Sequence, residues 1–127
     1  MRVLLDTHVL LWWLIDSERL SARARGIFID GSELFWSAAS SWEVAIKSRL
    51  GRLILPAPPR KLIPKVLRDQ SIRPLEISQA HALATADLPD HHRDPFDRLL
   101  IAQARLEKLG IATADPVFSK YRVQRVW

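Results

Sequence analysis

Residues 94–115, DPFDRLLIAQARLEKLGIATAD, contain the pattern that decides the fold of this chain. Asp94 is a preferred N-cap, and the proline that follows it is favoured at the first position of a helix. We therefore predict a helix over Pro95–Leu109, with Gly110 as its stop signal. The apolar run Ile111–Ala114 then predicts a short buried strand that ends at Asp115. A helix followed directly by a buried strand is typical of a parallel sheet.

The rest of the chain alternates short apolar stretches with segments of helical spacing. Strands are predicted at Arg2–Leu5, Leu34–Ser37 and Ile72–Ile77, with an edge strand at Val123–Trp127. Helices are predicted at Thr7–Asp16, Ser21–Asp30, Ser40–Leu50, Arg60–Gln70 and Ser78–Leu88, the fourth on condition that Pro64 lies in its first turn. This alternation predicts an α/β fold with a mainly parallel sheet covered on both faces. With no internal repeat and no linker, we expect a single domain over residues 1–127.

Composition and charge narrow the function classes. The chain has 127 residues, no cysteine and a formal net charge of +5. The lack of cysteine excludes a disulfide scaffold, a zinc ribbon and a thiol nucleophile, so any metal must be held by oxygen or imidazole. The positive charge favours an anionic partner, either nucleic acid or an acidic protein. No apolar run approaches the ~20 residues that cross a bilayer, and no signal peptide is recognisable, so we expect a cytoplasmic protein without a membrane partner.

Four acidic residues stand in apolar settings. Asp6 and Asp115 each follow a predicted strand, while Glu43 and Asp97 lie in the first turns of two predicted helices. Ligands of open α/β sheets bind at the carboxyl ends of the strands, where such helices begin, so these carboxylates can converge on one cleft. Two carboxylates about 5 Å apart repel each other by roughly 3 kcal/mol at an effective dielectric near 20. A cluster of this kind takes up protons or binds a hard cation such as Mg²⁺ or Mn²⁺, which activates water and neutralises a phosphoryl group.

Each of these acids also has a purely structural interpretation, which the spacing leaves open. Ser40 and Glu43 fit a capping box, with Ser40 as the N-cap. The remaining acids fit N-caps or a first-turn position favoured by the helix dipole: Asp6, Asp94, Asp97 and Asp115. Taken singly, each position is explained without any chemistry.

Four blocks of this sequence, taken in order, resemble PIN-domain proteins, and within that family the VapC-like toxins of bacterial toxin–antitoxin pairs. The blocks are DTHVLLW at 6–12, SSWEVAIK at 40–47, HRDPFDRLLIAQA at 92–104 and TAD at 113–115. The third block is highly specific, and the resemblance covers nearly the whole chain. It implies a three-layer α/β/α fold and a Mg²⁺- or Mn²⁺-dependent endoribonuclease. It also implies an RNA substrate, a VapB-like antitoxin as partner and a homodimer.

Carried over by position, the resemblance assigns a catalytic and metal-binding quartet to Asp6, Glu43, Asp97 and Asp115. In this assignment the three aspartates hold one or two ions, and Glu43 contributes directly or through water. Asp94 lies beside the quartet, and its role as a cap is a sufficient explanation for it. Thr113 matches a frequent Thr or Ser before the last acid, whose hydroxyl can orient a carboxylate or a water.

A basic run on a predicted helix has two interpretations. Arg60, Lys61, Lys65 and Arg68 form either a solvated helix face or a set of phosphate contacts for RNA.

The paired histidines and most of the tryptophans are expected to have structural roles. His91 and His92 adjoin Asp94, but adjacent histidines on a loop rarely point the same way, so we do not expect them to bind metal. The tryptophans of apolar segments are expected in the core: Trp12, Trp13, Trp36 and Trp42.

Two alternatives to a ribonuclease remain. The chain can be a catalytically silent PIN-fold module that binds RNA, and sequence does not separate the two, because turnover depends on geometry within about 0.5 Å. A receiver-like signalling domain is also a short α/β chain with acids at its strand ends. It is disfavoured because Asp6 is followed by Thr7 rather than by a second acid, and because the strand Leu34–Ser37 ends in serine.

Overall fold

Five short strands form one parallel sheet in the computed structural model, which describes all 127 residues. The strands are β1 (Arg2–Leu5), β2 (Glu33–Ser37), β3 (Arg73–Leu75), β4 (Gly110–Ala112) and β5 (Arg125–Val126). Their order is β3-β2-β1-β4-β5, and every neighbouring pair is parallel. The central strand β1 therefore has β2 on one side and β4 on the other, so the residues that follow β1 and β4 are neighbours at the carboxyl edge of the sheet.

Six helices connect the strands, as parallel pairing requires. They are α1 (Thr7–Leu14), α2 (Ala22–Gly26), α3 (Ala38–Arg49), α4 (Pro59–Asp69), α5 (Gln79–Ala84) and α6 (Pro95–Glu107), with short 3-10 helices at Thr85–Asp87 and Pro116–Tyr121. None of these helices has the length and apolar character needed to cross a membrane.

Two hydrophobic clusters, one on each face of the sheet, confirm the predicted three-layer fold. The side chains of β1 alternate between them, since Val3 and Leu5 belong to one cluster and Leu4 to the other. Helices α1, α2 and α4 cover the first face, and α6 covers the second with the 3-10 helix Pro116–Tyr121. Helix α3 lies at the border of both layers, because its residue Ala39 joins one cluster and its residue Val44 joins the other.

The start of α3 differs from the prediction. Ser37, the last residue of β2, is the N-cap, and its hydroxyl accepts a hydrogen bond from the N–H of Ala39 at 3.0 Å. Ser40 lies inside the helix, where its buried hydroxyl accepts a hydrogen bond from Thr7 Oγ1 at 2.9 Å. The predicted capping box of Ser40 and Glu43 is therefore wrong, and Glu43 lies in the second turn of α3 rather than the first.

The start of α6 agrees with the prediction, but its end does not. Asp94 is the N-cap, as predicted, because its Oδ1 accepts hydrogen bonds from the N–H groups of Phe96 at 2.8 Å and Asp97 at 3.2 Å. The helix ends at Lys108, which adopts a left-handed conformation with φ of 57°. Gly110 is instead the first residue of β4, where a Cβ atom would lie 3.3 Å from the carbonyl oxygen of Gln124. Because Gly110 has no side chain, β4 can pack closely against the backbone at Gln124, just before β5.

Other elements also differ from the prediction, most of them by being shorter than predicted. Helix α2 covers only the first half of the predicted segment Ser21–Asp30, and β3 is shorter than the predicted strand Ile72–Ile77. Pro64 is the sixth residue of α4, not part of its first turn. The helix continues through it because proline removes only one backbone donor, at the position that would pair with the carbonyl of Arg60.

We expect Ser37→Ala to destabilise the protein by about 1–3 kcal/mol. The substitution removes the N-cap of α3, and it also leaves the buried Oε1 of Gln103, to which the Ser37 hydroxyl donates at 2.5 Å, without that partner. Urea unfolding measures the change. Ser48→Ala is the matched control on the same helix, and it is expected to stay within about 0.5 kcal/mol of the parent. Equal stabilities of the two variants would contradict this account of the cap.

Candidate metal centre

The four acids predicted to converge do line one cleft. Its volume is about 410 Å³, and it lies at the carboxyl edge of the sheet. Asp6 follows β1, Asp115 follows β4, Glu43 comes from α3, and Asp97 comes from the first turn of α6. The carboxyl of Asp94 and the side chains of His8, Arg19 and Lys47 also line this cleft. The parallel topology accounts for this convergence, since it places the ends of the central strands and the start of α6 together.

In two of these aspartates, Asp6 and Asp115, only one of the two carboxylate oxygens accepts the capping hydrogen bond. Asp6 Oδ1 accepts a hydrogen bond from the N–H of Thr7 at 2.7 Å, and Asp115 Oδ1 accepts one from the N–H of Val117 at 2.9 Å. Their Oδ2 atoms make separate contacts at the cleft. The structural and the chemical interpretations are thus compatible at these positions, because the cap fixes the carboxylate and leaves its second oxygen available.

Thr113 connects two of the acids, as expected from its position before Asp115. Its hydroxyl donates to Asp6 Oδ2 at 2.8 Å and accepts a hydrogen bond from the N–H of Asp115 at 3.1 Å. The Thr113 side chain is fully buried. It therefore sets the orientation of Asp6 relative to the turn that begins at Asp115.

Glu43 is a buried carboxylate with a single cationic neighbour. Its side chain is 7% exposed, and its Oε2 lies 2.7 Å from Lys47 Nζ, one turn further along α3. With the capping box absent, the pair with Lys47 at the i,i+4 spacing is the one local helix interaction of this acid. Burial of a charge without compensation is unfavourable, and Lys47 offsets part of that cost.

His92 is a member of the cluster that the sequence analysis missed. Its Nε2 lies 2.9 Å from Asp115 Oδ2 and 3.0 Å from Asp97 Oδ2. Its Nδ1 accepts a hydrogen bond from the N–H of Asp94 at 3.3 Å, so in the neutral ring the proton is on Nε2 and points at the carboxylates. The position of His92 against the acids was not predicted from the sequence, which indicated only that the two adjacent histidines do not bind metal together. In this arrangement the imidazole donates to the carboxylates, and it orients them as the partners of metal ligands do.

The loop before α6 is held in place by Arg98, which explains how a loop histidine is positioned. The Arg98 guanidinium donates to four backbone carbonyls at 2.8–3.0 Å, those of Thr85, Leu88, Pro89 and His92. The hydroxyl of Tyr121 contacts the same loop, accepting from the N–H of His92 at 2.5 Å. Arg98 was visible in the sequence, directly after Asp97 in the most specific block. The carbonyl groups to which it donates could not be identified from the sequence pattern, because most of them belong to a loop of irregular structure.

Burial and mutual repulsion shift the protonation of the acids. Burial, together with the charges of Asp6, Asp94, Glu43 and Asp115, raises the pKa of the Asp97 carboxyl from its usual 3.8 to about 8. Burial also raises the pKa of Asp6, against the opposing effect of the hydrogen bond from Thr113. Without a cation, Asp97 therefore holds a proton at neutral pH, which is how a crowded carboxylate cluster lowers its own repulsion.

The donor set fits a hard divalent cation. Asp97 and Asp115 offer carboxylate oxygens that lie, together with a ring nitrogen of His92, within 4.8 Å of one another, and Asp6 and Glu43 line the same cleft. All the acidic donors are carboxylate oxygens, which Mg²⁺ and Mn²⁺ prefer. Burial and the four neighbouring carboxyl groups raise the pKa of Asp97, so a bound cation would favour its ionised form.

The predicted basic run does not line this cleft. Arg60, Lys61, Lys65 and Arg68 are exposed on α4, and Lys65 forms an ion pair with Asp69 one turn away. Arg60 and Arg68 border a separate groove between α3 and α4, of about 580 Å³. The cations that do line the acidic cleft are Arg19 and Lys47, which the sequence analysis did not single out.

Comparison with known proteins identifies the class to which this parallel α/β fold, with carboxylates clustered at its strand ends, belongs. The PIN domain model matches residues 3–124, so the chain belongs to the PIN domain family. Over 129 aligned residues it is 30% identical to Ribonuclease VapC22 of Mycobacterium tuberculosis (strain ATCC 25618 / H37Rv), with 98% of each chain covered. The receiver-like alternative is therefore wrong.

Solved structures share this fold. The structure described as VapBC2 from Rickettsia felis bound to a DNA fragment from their promoter has a TM-score of 0.71 and 10% identity, over 98% of this chain and 97% of that one. The structure described as FitAcB from Neisseria gonorrhoeae has a TM-score of 0.65 and 22% identity, over 98% and 96%. Likeness at these identities concerns the fold alone.

We expect the stability of the metal-free protein to fall as the pH rises from about 4 to about 8. With a pKa of 3.8 in the unfolded chain and about 8 in the folded one, Asp97 holds its proton in this window only when folded. The folded state then binds one more proton, so the free energy of unfolding decreases with pH, by at most about 1.4 kcal/mol per unit. Asp97→Asn removes this contribution. Urea unfolding in chelator from pH 5 to 8 measures it, and parallel pH profiles for the two proteins would disprove it.

Proposed function

We propose that this protein is a metal-dependent endoribonuclease, the toxin component of a toxin–antitoxin pair. The observation that carries the proposal is the convergence of Asp6, Glu43, Asp94, Asp97 and Asp115 on one cleft in a protein of net charge +5. The relative of similar length is named a ribonuclease, which supports RNA as the substrate. The charge of the whole chain favours the approach of a polyanion, and the cleft alone disfavours it unless a cation is bound.

Asp6, Asp97 and Asp115 are proposed to hold Mg²⁺ or Mn²⁺, with Glu43 contributing directly or through a water. When bound, an ion of this kind neutralises the phosphodiester and makes water a stronger acid. Thr113 and His92 hold the carboxylates of Asp6 and Asp115 in place through their hydrogen bonds at 2.8 and 2.9 Å. Attack by water in line with the leaving oxygen leaves 5′-phosphate and 3′-hydroxyl ends, and no side chain becomes covalently attached.

The remaining contacts of the substrate are proposed to come from cations around the cleft. Arg19 and Lys47 line it directly, where they can contact the phosphate next to the scissile bond. Arg60, Lys61, Lys65 and Arg68 on α4 are proposed to contact phosphates further along the strand, since all four are exposed. Phosphate contacts of this kind add affinity and carry little base information.

A VapB-like antitoxin is the proposed partner, and a homodimer is the proposed assembly. The solved structures that share the fold include one described as VapBC2 and one as FitAcB. On this chain, Leu14, Ile15 and Ile29 expose apolar surface at and beyond the ends of α1 and α2, with Ile15 74% and Ile29 76% exposed. An apolar segment of the antitoxin can cover this surface, and an arginine or lysine from it can reach the carboxylates.

Glu43→Gln and Asp97→Asn test the proposed metal centre. Each keeps the shape of the side chain and removes one negative charge, so we expect Mg²⁺ affinity and RNA cleavage to fall by about 10- to 100-fold or more. Without metal, Asp97→Asn is expected to be more stable than the parent at neutral pH, because the amide is neutral in both states and folding no longer requires the uptake of a proton at this position. Glu43→Gln is expected to stay level, because it also loses the ion pair with Lys47. Calorimetric Mg²⁺ titration, cleavage assays with Mg²⁺, Mn²⁺ or chelator, and melting curves provide the three measurements.

Glu76→Gln is the matched control, because this exposed acid lies outside the cleft. It should leave metal affinity and cleavage unchanged. Full cleavage by both cleft variants would refute the carboxylate centre. RNA binding by the parent protein without cleavage under any metal would instead favour the catalytically silent binding module.

Charge reversal on α4 tests the proposed phosphate contacts. Substitution of Arg60, Lys61 and Lys65 by glutamate should weaken RNA binding and reduce its salt dependence, while the cleavage position stays the same. The control reverses three exposed cations elsewhere, Arg23, Arg49 and Arg105, so that the net charge changes equally. Fluorescence anisotropy at several salt concentrations gives the slope of log affinity against log salt for each triple variant. Equal losses in the two triple variants would show that only the overall charge matters.

A further inference from the structure

Trp42 is the one tryptophan of the five that is exposed, although it was expected in the core. It is 61% exposed, whereas Trp36 is buried and the other three are partly covered. Leaving a large aromatic ring in water forgoes stabilisation of about 1.5–3 kcal/mol that burial supplies to large apolar side chains. Trp42 directly precedes Glu43 on α3, but its ring does not itself line the acidic cleft.

Phe96 holds the ring of Trp42 in a defined position. The two ring centroids are 5.3 Å apart, and the planes meet at 76° in a T-shaped contact. Phe96 is itself packed against the hydrophobic cluster beneath α6, and it directly precedes Asp97. The exposed indole is therefore supported from the core, and it is not a loose surface side chain.

These two rings form a wall of a pocket of about 380 Å³, which Arg93 also lines. Arg93 is exposed, and its guanidinium takes part in no ion pair or hydrogen bond within the protein. Arg98, which lines the same pocket, differs in this respect, because its guanidinium is occupied by four backbone carbonyls. The pocket thus combines an apolar aromatic wall with one free cation.

The pocket and the acidic cleft are adjacent along the chain at three places. Trp42 precedes Glu43, Arg93 precedes Asp94, and Phe96 precedes Asp97, with the first member of each pair in the pocket and the second in the cleft. A ligand that reaches the carboxylates through its phosphate can therefore place a neighbouring group in this pocket.

We propose that Trp42, Phe96 and Arg93 form a subsite for one nucleobase of single-stranded RNA, beside the scissile phosphate. Trp42 supplies the stacking surface, Phe96 holds it in place, and Arg93 binds the adjoining phosphate. Base–aromatic stacking of this kind is tolerant of sequence, because every base has a π-face. This subsite rests on the proposed ribonuclease function, and it adds the requirement that the nucleotide beside the cleavage point be unpaired.

Charge and shape favour RNA over a second copy of the chain at this place. Five carboxyl groups next to the pocket repel an anion, so a free guanidinium at its rim is what an approaching phosphodiester requires. The pocket is also concave, and its volume of about 380 Å³ lies in the range of small-ligand sites, whereas a protein interface needs an extended face. A protein interface at Trp42 is the competing occupant, and the experiment separates the two.

The test measures the binding of fluorescent eight-nucleotide RNAs by anisotropy in chelator, where cleavage is absent. Trp42→Ala should weaken binding by about 10-fold or more, and Trp42→Phe should retain most of the affinity. Arg93→Gln should reduce the slope of log affinity against log salt by about 0.7, the value for one phosphate of a single strand. Leu50→Ala is the matched control, because this residue is 60% exposed at the other end of α3, and it should bind as the parent does.

An RNA that lacks one base at each position in turn completes the test. At one position, removal of the base should weaken binding by the parent and have no further effect on Trp42→Ala. Equal affinities of Trp42→Ala and Leu50→Ala would overturn the subsite. So would a loss of dimer in light scattering by Trp42→Ala at unchanged RNA affinity, which would assign the face to a second copy. If binding depends on Trp42 but no metal supports cleavage, the subsite stands and the catalytic proposal fails.

Discussion

Repulsion among carboxyl groups at the end of a parallel sheet is the constraint on which the rest of this structure depends. Five of them line one cleft of about 410 Å³. Three interactions reduce this repulsion without a metal. Asp97 takes up a proton, Lys47 pairs with Glu43, and His92 donates toward Asp97 and Asp115. Each of these is a substitute for positive charge in the cleft. A bound divalent cation would make all three less necessary.

The same acids also stabilise the local backbone, so a role in folding and a place in the cleft are combined in single residues. Asp6, Asp94 and Asp115 cap the helical segments that follow them. The Oδ2 atoms of Asp6 and Asp115 still contact Thr113 and His92, which orient them at the cleft. A cap rigidifies the carboxylate at little cost, because the backbone N–H groups at a helix start need an acceptor in any case. Glu43 is the exception, since no cap explains it.

Rigidity at the cleft comes from interactions that bridge distant parts of the chain. Arg98 donates to four carbonyls of the loop before α6 and of the segment preceding it, and Tyr121 contacts the same loop from the far end of the sequence.

The basic side chains border two separate parts of the surface. Arg19 and Lys47 reach the cleft, while the cations of α4 border a different groove, so a substrate bound by both would extend across α3.

The sequence by itself determined the parallel α/β fold, the caps at Asp94 and Asp115 and the convergence of the four acids, because these follow from local patterns and from the geometry of parallel strands. Three features were decided only by tertiary structure. Ser37 replaced Ser40 as the cap of α3 because it also bonds the buried Gln103, which is distant in sequence. His92 joined the acids because Arg98 and Tyr121 set the path of its loop. Trp42 stayed exposed because the helix face on which it lies borders the pocket lined by Phe96 and Arg93 and not the core, and an apolar pattern alone does not indicate which face is covered.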